Sequence, residues 1–348
     1  MKIFYAIQAT GNGHIARAAE LMPYLQQYGE VDVFLSGSNS HLDFPLPIKY
    51  RSKGISLLYN TKGGLDYKKI IQHLQPLRAF KEARDLPIEK YDVVINDFDC
   101  ITAIASKLKK VPTVNFGHQA SFQSRNTPRP AKKDWIGEWV LKHYGAANAY
   151  IGLHFRNYDN FIFSPIVKNA ILNTDPTDKG HITVYLSHYS DEVLLPYLHK
   201  IPDVKFEVFS KKAKAVTRIN NVELHPINNQ AFTHSMVNST GIITGAGFEA
   251  PAEALYLNKK LLCLPIKGQY EQLCNAEALK SFNVPVLPTI KNGFEKEIGN
   301  WLNTCNTLPL QLPDNHTYHT VQHVIETARA IRHSGSHTSL LTPSALAH

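Results

Sequence analysis

The sequence predicts an α/β chain built as two units, each a mostly parallel sheet with helices on both faces. Three observations carry this. Short apolar runs alternate with amphipathic stretches of helical period through the first half. The same rhythm restarts after a Pro/Gly-marked segment near the middle. Several apolar runs end in a glycine or polar turn that leads directly into a helix, the punctuation of strand–loop–helix units.

In chain order, residues 3–7 read as a strand, 15–28 as an amphipathic helix, 31–35 as a second strand and 68–86 as helical. Residues 92–95 form a strand that enters Asn96-Asp97-Phe98-Asp99, followed by a helix over 102–110 and a strand over 113–116. Strands that are apolar throughout belong in a sheet covered on both faces. Residues 125–133 are basic, proline-rich and aperiodic, hence a loop. The stretch 164–180 holds Pro165, Asn173, Asp175, Pro176 and Gly180 and reads as the crossover between units. Strands then follow at 182–186, 204–209, 223–224, 242–243 and 261–264. The expected domains are 1–165 and 166–333, with 334–348 as a disordered tail.

A length of 348 residues with 43% hydrophobic content allows each unit its own core. No apolar run reaches membrane-spanning length. The N-terminus lacks a small-residue cleavage site and reads as a buried strand rather than a secretory signal, which implies a cytoplasmic protein. Cys100, Cys263, Cys274 and Cys305 lack CxxC pairing and read as reduced thiols. The net charge of +8 is uneven. Residues 1–165 carry 21 Lys/Arg against 14 Asp/Glu, and the remainder 16 against 15. A basic first half suits an anionic acceptor, an anionic membrane or a solvated surface. It lacks the interleaved aromatic motif of an RNA binder, so no nucleic-acid partner is expected.

The segment 242–276 carries the most chemistry. Thr244-Gly245-Ala246-Gly247-Phe248 is a glycine turn between a strand and a helix that accepts Pro251 in its first turn. Such a turn aims free N–H groups and a positive helix end at one point, which suits phosphate. Glu253 and Glu271 flank it and suit the hydroxyls of a sugar or ribose. At the other end of the chain, strand one runs into Gln8-Ala9-Thr10-Gly11-Asn12-Gly13-His14, with Arg17 in the following helix. This presents His14 at the carboxyl end of the sheet, where α/β proteins place their sites. The dinucleotide fingerprint GxGxxG is not met, because Ala16 occupies its third position. Asp97 and Asp99 end the fourth strand, adjacent to the first in a 3-2-1-4 order, so either can reach His14. The other reading of such an aspartate is a helix cap.

Gly247 and Glu253, Pro265, Glu271-Gln272 and Asn275-Ala276 resemble, in order and spacing, the donor-sugar region of GT-B glycosyltransferases. The nearest likeness is to the lipid-linked N-acetylglucosaminyltransferase of bacterial cell-wall synthesis and to UDP-glucuronosyltransferase-like enzymes. Glu249 departs from the small polar residue many of those enzymes carry. The resemblance implies two Rossmann-like domains facing across a cleft, and an inverting, metal-independent transfer from a nucleotide-diphosphate sugar, UDP-linked. It implies a co-substrate rather than a cofactor, and a cell-envelope setting.

In that reading His14 takes the acceptor proton with Asp97 or Asp99. Ser187, Thr244, Gly245, Ala246, Gly247, Phe248, Glu253, Glu271, Gln272 and Asn275 meet the donor, with Glu253 on ribose. Gly13, Arg17, His118 and Gln119 meet a glycan, lipid or small-molecule acceptor. The alternatives are a UDP-sugar 2-epimerase of the same fold and, from another class, a nucleic-acid-binding protein that uses the basic first half. Trp135, Ile136, Trp139 and Val140 fall on one helical face, read as core-facing or, beside Arg125, Arg129, Lys132 and Lys133, as a peripheral contact with the inner face of a membrane. His316, His319 and His323 have helical ligand spacing but no completing ligand, and read as a solvated face rather than a metal site.

Overall fold

The computed structural model describes residues 1–9, 12–37, 47–54, 75–304 and 306–334. Gly11 of the first turn, the opening of the helix expected over 68–86, Cys305 and the tail 335–348 lie outside the described residues.

The first unit is a seven-stranded sheet of order β3-β2-β1-β4-β5-β6-β7, all neighbours parallel. Its strands are β1 (Lys2–Gln8), β2 (Glu30–Ser36), β3 (Tyr50–Ser52), β4 (Val93–Asp97), β5 (Val114–Gly117), β6 (Ala149–Leu153) and β7 (Ile162–Phe163). Helices α1 (Asn12–Gln26), α2 (Pro76–Asp85), α3 (Cys100–Lys109) and α4 (Trp135–His143) connect them. Ile3, Phe4, Tyr5, Ala6 and Ile7 are fully buried, as a strand covered on both faces requires. Strands β6 and β7 have no counterpart in the sequence reading. They are short, five and two residues.

The second unit is a six-stranded sheet of order β10-β11-β9-β8-β12-β13, parallel except for the β10–β11 hairpin. After α5 (Asn169–Leu172) come β8 (His181–Tyr185), α6 (Asp191–Leu198), β9 (Lys205–Ser210), β10 (Thr217–Ile219), β11 (Val222–Pro226), α7 (Asn229–Asn238), β12 (Gly241–Thr244), α8 (Glu249–Tyr256) and β13 (Lys260–Cys263). Helices α9 (Tyr270–Lys280), α10 (Phe294–Thr304) and α11 (His316–His333) complete the chain. Helix α11 lies within the expected second domain by sequence. It packs on α1, β4, β5 and β6, returning the end of the chain to the first sheet. Its apolar face, with Val321, Val324, Ile325 and Ala328 buried, is what the first sheet covers.

Two surface expectations change. Trp135, Ile136 and Trp139 are 81%, 55% and 61% exposed, so this face of α4 is not core; Gly137 and Leu141 are the buried positions. His316 is buried rather than solvated, while His319 and His323 are exposed. No described helix is long and apolar enough to cross a membrane. Cys100, Cys263 and Cys274 are buried and form no disulfide.

Candidate active site

The first half of the site forms where β1 and β4 lie side by side. Ile7 pairs with Asp97 in register, so the end of β4 delivers a carboxylate beside the start of α1. His14 and Arg17, one turn apart on α1, share the face that meets it. His14 Nδ1 is 2.9 Å from Asp97 Oδ1, and Arg17 Nη2 donates to both oxygens of Asp97 at 2.8 and 2.9 Å. Asp97 is fully buried, Arg17 is 3% exposed and His14 9%. An ionised carboxylate only accepts, so Nδ1 carries the proton, and in the neutral ring Nε2 keeps its lone pair. Gln119 Nε2 faces that lone pair at 3.4 Å.

The electrostatics follow from the contacts. Burial works against the His14 imidazolium, but the charge and hydrogen bond of Asp97 outweigh it and the pKa is raised. Burial would raise the Asp97 pKa, but Arg17 and His14 together hold it below the usual value. Gly117 makes the arrangement fit: a Cβ there would stand 2.7 Å from Asp97 Oδ1 and 3.2 Å from Arg17 Nη2.

Asp99 does something else. It is the N-cap of α3 and accepts from Thr102 N at 2.6 Å. Asn96 brackets the turn between the two aspartates, accepting from Asp99 N and donating to Asp99 O at 2.7 and 3.0 Å. Phe98 between them stands at φ 54°, a strained left-handed conformation that these bonds hold in place. Burial pushes the Asp99 pKa up. Of the two aspartates, the structure brings only Asp97 to His14.

Across the cleft, the 245–247 turn leads into α8, whose N-cap Phe248 makes no side-chain capping bond. The first N–H groups of the helix are therefore unmet by a cap, as an anion site requires. Thr244 Oγ1 donates to Tyr185 O at 3.1 Å at the end of β12. Ser187 is half-buried in the loop after β8. Gln272 Oε1 accepts from Ile266 N at 2.8 Å and lies against Gly245. Glu271 Oε2 accepts from Gln119 Nε2 at 3.0 Å, linking the two halves.

Several expected ligand contacts prove to be struts between the domains. His118 is fully buried; its ring stacks on Phe248 with centroids 4.0 Å apart at 6°. His118 Nδ1 lies 2.9 Å from Leu153 O and Nε2 2.8 Å from Asn275 Oδ1, while Asn275 Nδ2 donates to Ala246 O at 3.1 Å. The His118 and Phe248 rings and the Asn275 amide are thus internal, not open to acceptor or donor. Burial pushes the His118 pKa down. Glu253 is 2% exposed, and Lys168 Nζ holds its Oε2 at 3.1 Å. Burial raises the Glu253 pKa even against the Lys168 charge. Lys168, at the start of α5, was missed in the sequence because nothing in its local context marks it.

Glu249 pairs with Arg17 from the other domain. Gly13 gives it room, since a Cβ there would collide with the Glu249 carboxylate. Asn12 Nδ2 reaches Tyr185 Oη at 3.4 Å, a second cross-cleft contact. Among the described residues no group of three or more His, Cys, Asp or Glu side chains is arranged to hold a metal ion.

The model of glycosyl transferase family 1 matches residues 1–304. No curated protein sequence matches the chain. Among solved structures, MurG of Acinetobacter baumannii superposes with a TM-score of 0.54 at 15% identity, covering 93% of this chain and 99% of that one. UGT2 of Phytolacca americana, complexed with UDP-2-fluoro-glucose and pterostilbene, gives 0.56 at 12% identity, covering 94% of each chain. UGT89C1 of Arabidopsis thaliana, complexed with UDP, gives 0.53 at 11%, covering 96% and 94%. At these identities the likeness is one of fold: two facing α/β units of GT-B type.

Proposed function

The chain belongs to glycosyl transferase family 1, and from that premise we propose that it moves a sugar from a UDP-linked donor to an acceptor hydroxyl with inversion and without a metal. The observation that carries this reading is the His14–Asp97 pair, 2.9 Å apart, joined through Arg17 to Glu249 at the uncapped N-terminus of α8. The acceptor hydroxyl gives its proton to His14 Nε2 as its oxygen attacks the anomeric carbon. The bond from that carbon to the phosphate oxygen breaks, and the nucleoside diphosphate leaves with the electron pair. Asp97 stabilises the imidazolium formed on His14. The 245–247 turn and the first N–H groups of α8 face the charge on the departing phosphate, a preorganised electrostatic contribution.

On the donor side, Glu271 and Gln272 are assigned to the sugar and Ser187 to the diphosphate. Lys168 occupies one oxygen of Glu253, and the other is assigned to a ribose hydroxyl. On the acceptor side, Gly13 and Gln119 border His14. The exposed Trp135, Ile136 and Trp139, beside exposed Arg125, Lys132 and Lys133, support an acceptor presented at an anionic membrane surface on the cytoplasmic side.

The test is product analysis with a panel of UDP-sugars and hydroxyl acceptors in EDTA. Free UDP released only with acceptor, and a product of inverted anomeric configuration by NMR, are expected. Retained configuration, or activity that requires added magnesium or manganese, overturns the mechanism. Acceptor-independent conversion of a UDP-sugar to its 2-epimer replaces the function.

A further inference from the structure

We propose that Arg17 and Glu249 form a tie between the two domains that sets the alignment and the charge of the His14–Asp97 pair. Arg17 is then a positioning residue for the base, and Glu249 its partner from the donor side. The inference rests on the reading of His14 as the base.

One guanidinium spans the two domains. Nη2 is spent on both oxygens of Asp97 and stands 3.0 Å from His14 Nδ1, while Nη1 meets Glu249, the first residue of α8. Arg17 is rigidly held, with its side chain 2% exposed, whereas that of Glu249 is 21% exposed. A planar fork that binds one carboxylate on each of two branches fixes their separation, which an ammonium does not. A carboxylate beside a diphosphate site would repel the donor; joined to Arg17 its charge is offset. A larger residue at Gly13 would displace the Glu249 carboxylate.

The charged and titratable groups facing His14 are Asp97 from β4, Arg17 from its own helix, Glu249 from α8, Tyr5 from β1 beside Asp97, and Glu271 from α9 through Gln119. Arg17 disfavours the His14 imidazolium and Glu249 favours it. The two residues therefore pull the same proton in opposite directions.

The experiment titrates His14 by NMR in the full chain with ring-labelled histidine, assigned by its loss in His14→Ala. It is run alongside kcat and donor KM. Glu249→Gln is expected to lower the His14 pKa and Arg17→Gln to raise it. In Glu249→Gln, kcat falls on the order of tenfold, a typical cross-site coupling, with donor KM within about twofold. Arg17→Lys keeps the charge and loses the fork; it covers the case in which Arg17→Gln does not fold, and kcat again falls while the His14 pKa stays near wild type. An unmoved His14 titration in Glu249→Gln overturns the tie. So does a lowered donor KM at unchanged kcat, which makes Glu249 a mere occupant of the phosphate site. Full activity in His14→Ala overturns the base assignment instead, and the titration distinguishes that outcome from failure of the tie.

Discussion

The two walls of the cleft are built by different means. The N-terminal wall is made of side chains: His14, Arg17 and Asp97 form a buried, mutually dependent set of charges. The C-terminal wall presents main chain, with the 245–247 turn and the opening of α8 offering N–H groups that no side chain caps. A wall of side chains concentrates function in single atoms, so one substitution removes it. A wall of backbone spreads function over several donors that substitutions leave standing. Mutations on the two sides should therefore differ in kind.

The largest effect is expected on the first wall. His14→Ala should lower transfer by about 10²–10⁴-fold, the usual contribution of a general base, while nucleotide affinity by calorimetry is retained. Retained turnover would erase the contrast between the walls.

Next come the two aspartates, two residues apart in opposite settings. Asp97→Asn leaves the Arg17 charge buried beside a neutral amide and should destabilise by roughly 3–5 kcal/mol, the range for breaking a buried pair, with loss of turnover. Asp99→Asn keeps a capping oxygen and should change stability by less than about 1 kcal/mol, since both residues cap equally well. Denaturant midpoints and turnover for the two variants check this, and equal losses would remove the distinction.

On the second wall, Glu253→Ala should weaken nucleotide binding by about 1.5–3 kcal/mol, the range for a hydrogen bond to a charged group. Its unfolding midpoint should be measured together with Lys168→Met. A lowered midpoint with unchanged affinity would make the Glu253–Lys168 pair purely structural.

The smallest effect concerns pH. His154 is fully buried and its pKa is lowered well below the ordinary value, first by burial and then by His118 and Arg129. Its unfolded pKa is near 6.5, so its stabilising contribution is complete above that pH and is lost as the pH falls below it. The slope is about 1.4 kcal/mol per pH unit for one such group. His14 works in the opposite window. Its raised pKa contributes fully below 6.5 and fades as the pH climbs through the folded value. His154→Phe should flatten the acid decline of the denaturation midpoint between pH 6.5 and 5; an unchanged slope would assign that decline elsewhere.

The glycine turn was legible from residues 242–276 because backbone chemistry depends on local sequence: an apolar strand, small residues, then a helix tolerant of Pro251. The candidacy of His14 was legible for the same reason, as a histidine at the end of a parallel strand. The choice between Asp97 and Asp99 was not. It turns on the strained Phe98 and the Asn96 bracket, which send one carboxylate to His14 and the other to the head of α3. The contacts that bury His118, Phe248 and Asn275 against one another were not legible, because they join residues more than 100 positions apart in the two domains.

By itself, then, the sequence determined the α/β class, the parallel character of the first sheet and the place of the glycine turn. These rest on periodicity and on glycine and proline, whose effects act over a few residues. Only the tertiary structure decided that α11 returns to the first sheet, that the tryptophans of α4 face solvent, and that Lys168 and Arg17 answer Glu253 and Glu249. Burial and charge pairing are properties of what surrounds a residue, and here the surroundings come from distant chain brought together by the facing of the two domains.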